Sequence, residues 1–204
     1  VLSDMYPGRD LLPGLMILGL AVIGYAASAF LTPLPPSDPA SRIQGHPFQP
    51  YVFALRTMRK VPGLVSIVLG WAFFYFVGII VLQVILDFKT ILDLSDKETS
   101  ILNVPLVVGI GVGCVLAGWM SGERIRLSFV PAGGVGMIGC LLLLGLSSLS
   151  FPFVIVCLSL LGMCGGFYIV PLQSGMQALS PGGQVGRILG TSNFLSFSFI
   201  ATGG

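Results

Sequence analysis

The sequence predicts an all-α integral membrane protein, and three observations carry that prediction. Only 9% of the 204 residues are charged, against about 25% in a water-soluble domain. Hydrophobic residues make up 54% of the chain, more than a water-facing surface tolerates. The apolar residues also gather into runs of about 20, the length a helix needs to cross a bilayer core of about 30 Å.

The first run covers residues 11–31 and holds no charge. The second covers 64–86, the third 101–120 and the fourth 129–149. The fifth covers 151–172, with a polar extension to Leu179. A sixth begins near Ile188 and reaches the last residue, so the sequence reads as a piece of a longer protein. The runs are apolar all round, as helices surrounded by lipid are. Glycine is frequent inside them, at 109, 111, 113, 133, 134, 136, 162, 165 and 166. Between membrane helices such residues let backbones approach closely; a hinge at Gly165–Gly166 is the alternative.

The connections carry their own signals. Residues 32–50 are Pro-rich and non-helical. Pro50 then opens a short helix to Lys60, because proline suits a first helical position. Tyr51, Ala54, Leu55 and Met58 fall on one face with Arg56, Arg59 and Lys60 near them, the pattern of a helix lying on a membrane surface. Between the second and third runs, Ser95 to Glu98 reads as a capping box for the helix that follows.

Charge predicts orientation. Alternate connections place Arg42, Arg56, Arg59, Lys60, Arg124, Arg126 and Arg187 on one side, and Arg9, Lys89 and Lys97 on the other. The positive-inside rule makes the first side cytoplasmic. A net charge of +2 gives no nucleic-acid footprint. His46, the single histidine, sits in the Pro-rich loop, and the four cysteines form no metal-binding pair. Cys114, Cys140, Cys157 and Cys164 read as small buried hydrophobes. No cofactor or metal is called for.

Polar groups inside the spans are the site candidates, because polarity in lipid is costly. They are Gln83 and Asp87, about one turn apart, then Asn103, the pair Gln173 and Gln177, and Asn193. Amides at these positions serve either a cargo headgroup or an interhelical bond. Trp71 and Tyr75 are i, i+4 neighbours that either flank an acyl chain or pack against a helix or lipid. Glu123, Arg124 and Arg126 crowd the connection between the third and fourth runs. They mark topology, or with Arg187 and Asp87 they form a charged clasp that holds one state of a moving protein.

Ala117-Gly118 followed by Ser121-Gly122-Glu123-Arg124 resembles the loop motif of the major facilitator superfamily, in a degenerate copy whose usual Asp position is not filled. Residues 168–197 resemble its lysophospholipid transporter branch. The matching elements are Val170-Pro171-Leu172, Gln173 and Gln177, Ser180-Pro181, Gly186-Arg187-Ile188-Leu189 and Asn193-Phe194. Val185 stands where a basic residue is usual, and Ser196 occupies the region of a second Asn.

The resemblance implies a piece of a twelve-helix bundle, about helices six to eleven. Residues 1–31 are then the last helix of the N-terminal half with its preceding loop. Residues 32–63 are the cytoplasmic link with its amphipathic helix, and 64–204 belong to the C-terminal half. Such halves rock about a midplane site to give alternating access. The implied cargo is a lysophospholipid moved from outer to inner leaflet of a bacterial inner membrane for re-acylation. The implied partners are membrane lipid, a coupling cation of undefined identity and a fused or adjacent acyltransferase. The rival readings are a drug or metabolite transporter of the same superfamily, a membrane acyltransferase and a structural anchor. An acyltransferase needs a His–acid pair, and His46-Pro47 has no nearby downstream acid.

Overall fold

A computed structural model describes residues 11–30, 46, 49–122, 124–146 and 150–204. Its helices are α1 (Leu11–Ser28), α2 (Gln49–Lys60), α3 (Leu64–Ile91), α4 (Asp96–Ile101), α5 (Asn103–Ser121), α6 (Phe129–Leu144), α7 (Phe151–Leu179) and α8 (Val185–Gly203). No strand occurs among the described residues. Two compact units divide at Arg42, with α1 in the first and α2 to α8 in the second. Residues 32–45, 47 and 48 of the Pro-rich connection, Arg42 among them, lie outside the described residues, as do Arg9 and Glu123.

Among the described residues, three stretches are long and apolar enough to cross a membrane: Leu64–Ile91, Asp96–Ser121 and Phe151–Leu179. Gly14–Ser28 and Phe129–Leu144 are apolar but shorter. Several helix bounds differ from the sequence expectation. The α3 helix runs five residues beyond Leu86 and carries Asp87 and Lys89 within it. Lys89 pairs with Asp96 at the start of α4, and both side chains are exposed. The fourth run yields only 16 helical residues, because the chain turns at Gly145. The fifth run and its polar extension form one helix of 29 residues with Pro171 inside.

Local chemistry sets these ends. Ser95 accepts from the Glu98 backbone N–H, and the Glu98 carboxylate accepts from the Ser95 backbone N–H at 2.9 Å. That completes the expected capping box, on a helix of six residues that leads into α5. The α7 helix ends where Ser180, extended at φ −68° and ψ 129°, precedes Pro181, since a residue before proline avoids helical angles. Gly122, at φ 54°, stops α5 in a conformation that favours glycine.

Glycine then decides how the spans pack. A Cβ on Gly109 or Gly113 of α5 would strike the backbone of Ser159 or Met163 of α7. A Cβ on Gly162 or Gly166 of α7 would strike the α5 backbone in return. On the other side, Gly133 of α6 lies so close to α7 that a Cβ would come within 2.8 Å of the Tyr168 nitrogen. The α7 helix is thus held between α5 and α6 at backbone distance, the geometry small residues permit. Gly166 serves packing here, and Gly165 faces the Phe74 ring.

Two apolar clusters hold the second unit. One joins Ala54 and Met58 of α2, Leu64 to Trp71 of α3, Ile169 to Met176 of α7 and Ile188 of α8. The other joins Val81 to Phe88, Leu102, Cys140, Leu144 and Val154 to Leu161. They lie at opposite ends of the antiparallel helices. Arg56, Arg59, Lys60, Arg124, Arg126 and Arg187 belong to the first end, and Lys89 and Lys97 to the second. Ala54 and Met58 are buried, so α2 packs its apolar stripe on α3 and α8. Leu55, expected on that stripe, is exposed.

Candidate functional site

Four sequence candidates ride on α3. Trp71 and Tyr75 lie one turn apart with ring centroids at 5.5 Å. Trp71 is buried in the first apolar cluster, and its indole N–H has no acceptor among the described residues. A buried donor without a partner is uncommon. Tyr75 reaches the surface. Phe74 meets Tyr75 edge-on at 5.7 Å and stacks on Tyr168 of α7 at 6.0 Å. The Tyr168 hydroxyl donates to the Gly70 carbonyl oxygen at 3.3 Å. An aromatic row, Trp71–Tyr75–Phe74–Tyr168, therefore runs across the α3–α7 contact. Sequence reasoning missed Phe74 and Tyr168. The signal was present, since Tyr168 opens the segment that carries the family resemblance.

The amides divide. Gln83 Nε2 donates to the Gly203 carbonyl oxygen at 3.1 Å, an interhelical bond between α3 and α8. Gln173 and Gln177 share an exposed face of α7, and Asn193 is exposed on α8. Asn103 is half-buried at the first residue of α5. Asp87 is exposed on α3, one turn from Gln83. The structure brings Trp71 and Tyr75 together, while Gln83 is bonded to Gly203 of α8.

The charged candidates also separate. The Arg187 guanidinium stands over the Phe53 ring of α2, 4.7 Å from its centroid. Beside it, Tyr51 and Phe194 rings lie 4.6 Å apart, so α2 is tied to α8 twice. Arg124 and Arg126 are exposed in the connection after α5. Among the described residues neither forms an ion pair; the one pair is Lys89–Asp96. Arg126 lies 6.0 Å from the Phe129 ring centroid. Glu123 lies outside the described residues.

An apolar cavity of about 50 Å³ sits between α3, α5, α6 and α7, lined by Phe74, Gly78, Ile110, Met137 and Gly162 among others. It has no polar side chain to fix a headgroup, and its volume matches less than two waters. All four cysteines are free, with Cys140 and Cys157 buried and Cys114 and Cys164 half-buried. No group of acids, histidine and cysteines that would hold a metal occurs among the described residues.

A family model described as Major Facilitator Superfamily matches residues 11–204. No curated protein matches the chain, and no solved structure does.

Proposed function

The chain belongs to the Major Facilitator Superfamily, a family of secondary transporters, and from that premise we propose that its cargo is a lysophospholipid. The observation that carries the reading is the segment from Tyr168 to Phe197. Its residues form the second half of α7, the turn at Ser180-Pro181 and the start of α8. They pack against the aromatic row of α3 and against α2.

The chemistry suits a cargo with one acyl chain. Aromatic rings and aliphatic side chains supply apolar surface, and a small number of amides supply polarity without charge. Trp71 and Tyr75 would flank the chain, with Gln173, Gln177 and Asn193 offering bonds to glycerol and headgroup oxygens. Gln83 and Asn103 are proposed on the same basis, with Gln83 already engaged by α8. Asp87, Glu123, Arg124, Arg126 and Arg187 would act at the helix ends, where charges make and break as halves move. The setting is a bacterial inner membrane, with inward transfer feeding a fused or adjacent acyltransferase.

The test is uptake of labelled lysophosphatidylethanolamine by cells that lack their own importer and carry the full-length gene. Re-acylated product above the empty-vector level supports the reading. No uptake, with membrane insertion confirmed, refutes it and favours the second reading, a drug or small metabolite as cargo.

A further inference from the structure

The connection between α5 and α6 does more than mark topology. With α7 it lines a half-open cleft of about 120 Å³, bordered by Gly118, Ser121, Arg124, Arg126, Pro171 and Ser174. That volume equals about four waters. Unlike the cavity among the spans, its lining joins two arginines with two serines. Ser180 and Thr191 turn their hydroxyls onto carbonyls of their own helices. Ser121 and Ser174 make no such bond among the described residues, so both hydroxyls are available to a ligand.

We propose that this basin binds a phosphate group, supplied by the headgroup of a membrane phospholipid. Arginine presents a planar fork that matches phosphate oxygens two at a time, and serine hydroxyls complete the shell. The rim argues for lipid as the source. Trp119, Ile125 and Leu127 stand 80%, 44% and 43% exposed around the same connection. Tryptophan at a span end sits at headgroup level in a bilayer, and the aliphatic side chains meet the upper acyl chain. Basic residues at such a level attract anionic lipid. The bound headgroup would pin the connection to α7 and so couple α5, α6 and α7 at that end. This inference is independent of the transported cargo.

The full-length protein, purified from membranes containing phosphatidylglycerol and phosphatidylcholine in equal amounts, is examined by native mass spectrometry for retained lipid. Phosphatidylglycerol should be retained in preference, and Arg124→Ala/Arg126→Ala should lower its retention about tenfold. Arg59→Ala/Lys60→Ala removes equal charge at the same end and should leave retention unchanged. Ser174→Ala, a mild change, should give a smaller loss in a protein that elutes and melts like the parent. An equal fall in both double variants overturns the site and leaves only general surface charge. Unchanged retention in the arginine variant overturns it as well. A second arm heats the protein with inorganic phosphate alone. Protection that needs Arg124 and Arg126, without lipid preference, keeps the phosphate site and overturns the lipid source.

Discussion

The hydroxyl of Tyr168 donates to the carbonyl oxygen of Gly70 at 3.3 Å, across the contact between α7 and α3. Gly70 is suited to that approach, because a Cβ there would come within 3.2 Å of the same hydroxyl. Tyr168→Phe keeps the ring stacked on Phe74 and deletes the bond. Interhelical hydrogen bonds in membranes average about 0.6 kcal/mol, so a loss of that size is expected. Thermal unfolding in detergent measures it. A loss well above about 1.7 kcal/mol would mean that the hydroxyl holds more than this one partner.

The glycine contacts make a sharper prediction. Gly166→Ala drives a methyl group into the α5 backbone at Gly113 and Cys114. Overpacking of this kind costs about 1–3 kcal/mol, and here no flexible side chain can yield. Gly111→Ala meets nothing within 4 Å and should be neutral or mildly stabilising. Yields of folded protein and melting temperatures of the two variants compare them directly.

The amides should part into two classes. Gln83→Leu removes the bond to Gly203 and should lower stability by about 0.6 kcal/mol. Gln173→Leu and Gln177→Leu alter exposed positions on α7 and should leave the melt unchanged. If they serve cargo, uptake falls in these two variants without any loss of fold. Normal uptake in both would remove them from the binding face.

Ser95→Ala deletes one arm of the capping box that starts α4. A lost cap of this type costs about 1 kcal/mol. Hydrogen exchange should quicken at the backbone N–H of Glu98, which bonds the Ser95 hydroxyl at 3.3 Å. Exchange at Gly204, whose N–H bonds the Ile200 carbonyl, should not change.

The hydrophobic runs announced the spans because lipid leaves a helix little choice but to be apolar on every side. The capping box at Ser95 and the end of α7 at Pro181 were equally legible, since both depend on residues adjacent in sequence. The ends of α3 and α6 were not. Hydropathy stops at Leu86, but the α3 backbone continues through Asp87 and Lys89 to Ile91, with Phe88 buried in the second apolar cluster. Residues 145–149 read as span, yet the helix ends at Leu144, five residues early.

The aromatic row was legible only in part. Trp71 and Tyr75 were found because i, i+4 spacing brings rings together within one helix. Phe74 and Tyr168 meet from different helices, 94 positions apart in numbering, and no local pattern records that. The basin beside Arg124 and Arg126 is of the same kind, since part of its wall comes from Val170, Pro171 and Ser174 of α7.

By itself, the sequence determined the solvent, the helices, the sidedness of charge and the resemblance that led to the family. These follow from composition and from short-range spacing, which act on each segment alone. Only the tertiary structure decided which glycines touch backbone, which amide is spent on a neighbouring helix and which arginines line a cleft with α7. Those depend on rotation of each helix about its axis. Segments apolar on all sides leave that rotation undefined until close packing between backbones selects it.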